Sequence, residues 1–132
     1  MAYLLDTNIV SDLVRNPRGR AAARLRPVTN DQICTSIVVA AELRYGAIRR
    51  NAPRLREQLE IVLSGIDILP LDLPADVLYG ELRTHLEENG QIIGPNDLFI
   101  AAHALALGHT LVTDNERAFS RVPGLKIENW LR

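Results

Sequence analysis

The sequence predicts an α/β fold of three layers, a central and mostly parallel sheet flanked by helices, formed by residues 1–132 as one domain. Three observations carry this. Short apolar runs such as Tyr3-Leu4-Leu5 and Thr110-Leu111-Val112 alternate along the chain with longer helical segments. These runs are apolar throughout rather than every second residue, as in strands covered on both faces. A length of 132 residues fits one domain able to bury a core without disulfides.

Tyr3–Leu5 reads as the first strand, ending at Asp6, with a short helix over Ile9–Val14 broken by Asn16-Pro17. Residues 18–26 form a basic amphipathic helix stopped by Pro27. Ile33–Thr35 is the second strand, and Ser36 caps a helix running from Ile37 to Arg50. Pro53 opens a helix to Leu63, Asp67–Leu71 is the third strand, and Pro74 starts the helix of residues 75–89. After Gly90 and Gly94, Pro95-Asn96 introduces a helix over Asp97–Leu107, closed by Gly108. Thr110–Val112 and Leu125–Glu128 complete the sheet.

The composition is that of a globular protein, 47% hydrophobic and 23% charged. The opening Met-Ala-Tyr-Leu-Leu-Asp has neither the basic start nor the cleavage site of a signal peptide. The longest apolar stretch, Leu98–Leu107, contains His103 and is far short of the roughly 20 residues a membrane span needs. Cys34 has no partner for an internal disulfide and reads as a packing residue, consistent with a cytoplasmic setting. The net charge of −1 says little about partners, but the basic residues are 14 arginines and one lysine. Ten of those arginines fall between Arg15 and Arg56, and arginine is the better bidentate ligand for phosphate, so a polyanionic partner is expected. Solvated helix faces are the plainer account of the same arginines.

In a parallel sheet, functional groups collect beyond the carboxyl ends of the strands. Asp6 ends the first strand, Asp114 follows the fourth, Asp97 begins a helix, and Glu42 lies in the second turn of the helix after the second strand. Singly, each aspartate is accounted for as a helix cap or dipole partner. Jointly they are costly, because two carboxylates ~4 Å apart repel by about 4 kcal/mol at an effective dielectric near 20. Such a cluster needs protons or cations, and an all-oxygen set suits Mg²⁺ or Mn²⁺ rather than zinc. No Cys/His pair has zinc-ligand spacing, and His85, His103 and His109 read as surface or packing residues.

Leu4-Leu5-Asp6-Thr7-Asn8, Ala41-Glu42-Leu43 with Tyr45-Gly46-Ala47, Asn96-Asp97 with Ile100-Ala101-Ala102, and Val112-Thr113-Asp114-Asn115 with Phe119 follow one another along the chain. With the closing Pro123-Gly124-Leu125 and Trp130, this order resembles the PIN-domain nucleases over essentially the whole chain, and within them the VapC toxins of bacterial toxin–antitoxin pairs. Each motif alone is weak; four in order are not. The resemblance implies a PIN-like fold and a metal-dependent endoribonuclease, with Asp6, Glu42, Asp97 and Asp114 as catalytic and metal-holding acids. Thr7, Asn8, Thr113 and Asn115 are expected to support them, and Asn115 competes with Asp114 for the last ligand position. A divalent ion held chiefly by Asp6 and Asp97 is expected to activate water toward an RNA phosphodiester.

The resemblance also implies an RNA substrate, a cognate antitoxin and a homodimer. The helix over Pro53–Leu63 carries Leu55, Leu59, Ile61, Val62 and Leu63, more apolar positions than one stripe requires, so an antitoxin segment is expected across these helices. Packing of the core or of a dimer explains those residues equally well. A catalytically silent PIN-like module in a repressor complex is the alternative reading. An aspartyl-phosphate hydrolase is disfavoured, since the position two residues after Asp6 is Asn8 and the one lysine is Lys126.

Overall fold

The computed structural model describes all 132 residues. Five parallel strands, β1 (Tyr3–Leu5), β2 (Ile33–Ser36), β3 (Asp67–Leu69), β4 (Thr110–Val112) and β5 (Ile127–Glu128), lie in the order β3-β2-β1-β4-β5. The helices are α1 (Thr7–Arg15), α2 (Arg20–Leu25), α3 (Ile37–Arg50), α4 (Pro53–Ser64), α5 (Ala75–Glu88), α6 (Pro95–Leu107) and α7 (Glu116–Phe119). The sheet is wholly parallel because every strand-to-strand connection carries helix, and its central strand is buried on both faces, with Leu4 and Leu5 at 0% exposure.

Winding order places the site. From β1 the chain steps outward to β2 and β3, then returns to the other side of β1 as β4 and continues to β5. The direction of winding therefore reverses between β1 and β4, whose ends are in register as Leu5 opposite Val112. The crevice beyond such a reversal is where open α/β sheets bind ligands. Asp6 and Thr113 are the next residues on these two strands.

The helix boundaries follow local chemistry. The Ser36 side chain accepts from Val38 N and begins α3, Pro53 and Pro95 each open a helix, and Gly108 closes α6 at φ +68°. One core of 26 buried residues fills both faces of the sheet. Trp130 and Phe119 are its largest members, and each fully buried side chain of this size stabilises the fold by about 2 to 3 kcal/mol. Trp130 packs edge-on to Tyr3 with ring centroids 5.2 Å apart, tying the C-terminus to the first strand.

Several expected boundaries move. Helix α2 is shorter than 18–26 at both ends, β3 ends at Leu69 before Pro70, and β5 shrinks to two residues. Helix α6 starts at Pro95, two residues before Asp97, so that Asp97 is the third residue of its first turn. Helix α7 and the 3-10 turn Asn30–Gln32 are not foreseen in the sequence, being too short for apolar periodicity to show. On α4, Leu59 and Leu63 are buried, Leu55 and Val62 are half-buried, and Ile61 alone is 67% exposed. Packing thus accounts for most of that helix's apolar excess. Cys34 is buried and its thiol is pushed up to about 11 by burial and by the Asp67 charge, as expected of a packing residue rather than a nucleophile. No helix is long and apolar enough to cross a membrane.

Candidate active site

Asp6 is buried at 3% exposure and serves as the N-cap of α1, accepting a 2.8 Å bond from Thr7 N through Oδ1. Its Oδ2 accepts from the Thr113 hydroxyl at 2.7 Å and from Asn8 Nδ2 at 3.2 Å. Thr113 is oriented by its neighbours: its amide donates to Glu128 O at 2.9 Å, and its Oγ1 accepts from Asn115 N at 2.9 Å. The capping explanation of Asp6 is therefore correct for one oxygen only. The other oxygen is held by two further donors, one of them across the strand reversal.

Glu42 reaches the same place from α3. Its Oε1 accepts from the Thr7 hydroxyl at 2.8 Å and its Oε2 from Asn96 Nδ2 at 3.2 Å. Asp97, one residue further along α6, has a single contact, Asn115 Nδ2 on Oδ2 at 3.4 Å. No hydrogen bond from the chain reaches Asp97 Oδ1, so this carboxylate keeps the most open lone pairs of the three.

The electrostatics join these acids into one unit. The Asp97 carboxyl is pushed up to about 6, first by burial and then by the charges of Asp6 and Glu42. Asp6 is also raised, chiefly by burial with Glu42 adding to it, against the lowering effect of the donors Thr113, Thr7 and Asn8. Burial and like charge both oppose ionisation, and a hard cation among the three carboxylates would relieve both. The donor set consists of carboxylate, amide and hydroxyl oxygens, which fits Mg²⁺ or Mn²⁺.

Asp114 stands apart from this group. Its side chain is exposed, its Oδ1 accepts from Asn129 Nδ2 at 3.0 Å, and that same amide also donates to Glu116 at 3.0 Å. What Asp114 brings to the site is its backbone, whose N–H donates to Asn8 Oδ1 at 2.9 Å. Asn115 lies nearer the centre, against Asp97 and Thr113. The structure thus brings Asp6, Glu42 and Asp97 together with Thr7, Asn8, Thr113 and Asn115, and turns the Asp114 carboxylate toward Asn129.

Two participants were not singled out from the sequence. Asn96 holds Glu42 from the α6 start; it is adjacent to Asp97, but nothing in its spacing marks it as a support. Asn129 lies past β5, where only the fold reveals its approach to Asp114. His103, expected as a surface or packing residue, is buried, with Nδ1 2.8 Å from Ser36 Oγ; burial, and then His109, hold it below its ordinary value.

Comparison with known proteins agrees with the fold. The family model of the PIN domain matches residues 3–125. "Ribonuclease VapC2" of Rickettsia felis is 42% identical over 132 residues, covering 98% of each chain. "tRNA(fMet)-specific endonuclease VapC" of Shigella flexneri is 36% identical over 131 residues, again 98% of each. Among solved structures, VapBC2 from Rickettsia felis bound to a DNA fragment from its promoter superposes with a TM-score of 0.92 at 39% identity, covering 98% of this chain and 99% of that one.

Proposed function

The chain belongs to the PIN-domain family, and on that premise we propose that it is the endoribonuclease toxin of a toxin–antitoxin pair, hydrolysing RNA phosphodiesters with the help of Mg²⁺ or Mn²⁺. The observation that carries the reading is the meeting of acids at the β1–β4 reversal, where Thr7 bonds both Asp6 and Glu42 and the Asp97 carboxyl is raised by the charges of those two. These three carboxylates would hold the ion, with Asn115 or Asp114 as the fourth group. When bound, the ion supplies a nucleophilic water at neutral pH and neutralises charge on the phosphoryl oxygens.

The chain's own residues prepare that centre. Thr113 and Asn8 engage Oδ2 of the Asp6 carboxylate and Thr7 N engages Oδ1 once, which leaves the second lone pair of Oδ1 free for an ion. Thr7 and Asn96 clamp the two oxygens of Glu42, so that α1, α3 and α6 are pinned at one point. Asp97, on the first turn of α6, is the least restrained and sits where the helix dipole favours its charged form against its neighbours. Supports of this kind keep ligand positions set before substrate arrives.

Relatives named as a tRNA(fMet)-specific endonuclease and solved as VapBC assemblies motivate two further proposals. RNA is the substrate, in single-stranded or loop segments of a structured molecule, and a cognate antitoxin occupies the groove between α1, α3 and α4. That groove runs from Thr7 and Glu42 past Leu43 and Gly46 to Leu55 and Leu59, so an occupant would end against the acids. Residues 1–132 act as one domain in the cytoplasm, as a homodimer.

The test is cleavage of defined RNAs by purified protein with Mg²⁺ or Mn²⁺ and with chelator. Asp6→Asn and Asp97→Asn are expected to remove cleavage while leaving the melting transition cooperative, because neutral amides bind hard cations poorly. Undiminished cleavage by both variants would overturn the assignment.

A further inference from the structure

The acidic centre uses none of the ten arginines clustered between Arg15 and Arg56, and three of them share one place. Arg15, Arg18 and Arg20 line an open recess of about 550 Å³ at the junction of α1 and α2, walled on one side by Leu131. All three are exposed, and none is in an ion pair: the arginines so paired are Arg24, Arg44, Arg83 and Arg132. Arg20 makes a single long bond, 3.4 Å to Leu131 O. The one acid in the recess, Asp12, accepts from Asn16 Nδ2 at 2.7 Å. Three exposed arginines outside any ion pair thus border one recess that holds a single acid, on a chain whose net charge is −1.

The recess is built rather than floppy. Asn16 N donates to Asp12 O at 2.7 Å and Gly19 N to Asn16 O at 2.8 Å. The turn is so tight that a Cβ on Gly19 would come within 3.0 Å of Asn16 Cβ and 3.1 Å of its carbonyl. Arg15 also lines the groove that ends at Thr7 and Glu42, so one side chain joins the basic recess to the acidic centre. Along α1 the eight steps from Thr7 to Arg15 span roughly 12 Å. A separation of that order places Arg15 for phosphates neighbouring the one being cleaved.

We infer that Arg15, Arg18 and Arg20 form a second RNA-binding site, which holds backbone phosphates flanking the scissile one and so guides the strand into the acidic centre. Its ligand rests on the ribonuclease reading. Arginine forks suit phosphate oxygens and carry no base information, so the site contributes affinity and register rather than sequence choice.

The test is fluorescence anisotropy with a mixed-sequence 20-nucleotide single-stranded RNA in chelator, titrated over a series of salt concentrations. Each phosphate contact to a single strand adds about 0.7 to the slope of log affinity against log salt. Arg15→Ala/Arg18→Ala/Arg20→Ala is expected to lower that slope by about 2 and weaken binding by roughly tenfold to a hundredfold at 0.1 M salt. Arg117→Ala, an exposed and equally unpaired arginine on α7, is expected to leave the slope within 0.3 or so of wild type, less than half a contact. An unchanged slope in the triple variant, with its melting temperature preserved, overturns the inference, as does an equal loss in Arg117→Ala. Poly-glutamate displacing RNA at equal charge concentration also overturns it, since the recess would then be a general acidic-segment site. Metal-dependent cleavage measured in parallel separates the two readings: absent wild-type cleavage defeats the ribonuclease assignment, whereas intact cleavage with an unchanged slope defeats only this site.

Discussion

The Thr113 hydroxyl donates to Asp6 Oδ2 at 2.7 Å across the point where the sheet reverses its winding. The two residues are 107 positions apart and become neighbours because β1 and β4 pair with Leu5 opposite Val112. A buried carboxylate that loses one of its donors holds its proton more tightly and binds a cation less well. Thr113→Val is therefore expected to raise the Mg²⁺ or Mn²⁺ concentration needed for half-maximal cleavage by about 10- to 100-fold, while Thr113→Ser stays near wild type. Cleavage titrations against metal check this. Equal behaviour of the valine and serine variants would assign Thr113 to packing alone.

The crowding of Asp97 gives the metal-free protein a pH dependence with a definite sign. Its carboxyl is raised from 3.8 to about 6, so between those values the folded chain binds more protons than the unfolded one. Stability should then fall as pH rises from about 4 to about 6 and level off above. Asp6 is shifted in the same direction and contributes to the same decline. Melting temperatures in chelator are expected to show this slope, with Asp97→Asn flattening part of it and melting higher than wild type at pH 7. Millimolar Mg²⁺ or Mn²⁺ should raise the wild-type transition at pH 7 and leave Asp97→Asn nearly unmoved. A transition indifferent to both pH and metal would mean that the acids do not feel one another.

How far the sequence carries this reading differs by element. β1, α3 and β4 are legible because apolar runs, Ser36 and Gly108 announce them, and the acids at strand ends follow from the parallel architecture. Asp6, Glu42 and Asp97 are expected together from the sequence, and the Asp97 carboxyl is raised by the charges of the other two. The network beneath them was not readable in the same way. Whether Asn96 or Asn129 holds a carboxylate depends on helix and loop approach over 54 and 15 positions, which no local pattern encodes. The extent of α6 was set by Pro95 rather than by Asp97, since proline needs no amide partner in the first turn.

Asp114 and Asn115 make opposed predictions that one pair of variants resolves. The Asp114 carboxylate is already bonded to Asn129, whereas the Asn115 amide reaches Asp97 and its backbone reaches Thr113. Asp114→Asn is expected to keep cleavage within about threefold of wild type, a barrier change under 1 kcal/mol. Asn115→Ala is expected to lose tenfold or more, about 1.4 kcal/mol. Rates at saturating metal provide the measurement. The reverse ranking would make Asp114 the fourth ligand and require its side chain to turn away from Asn129 when metal binds.

The groove between α1, α3 and α4 offers a way to separate antitoxin control from catalysis. Gly46 lines it within α3, and a Cβ built there meets no atom within 4 Å, so substitution intrudes on the groove and not on the core. Gly46→Ala is expected to stabilise the protein by roughly 0.5 to 1 kcal/mol, since glycine in a helix interior costs about that much relative to alanine. Gly46→Phe keeps the helix but fills the channel between Leu43 and Leu55, and is expected to weaken binding of the adjacent gene's product by tenfold or more. RNA cleavage by the free enzyme should change little, because Thr7 and Glu42 lie at the groove's end and keep their 2.8 Å bond. Isothermal titration of the antitoxin, run beside cleavage assays with and without it, reads both quantities. Full inhibition of Gly46→Phe at wild-type affinity would place the antitoxin on another face of the molecule.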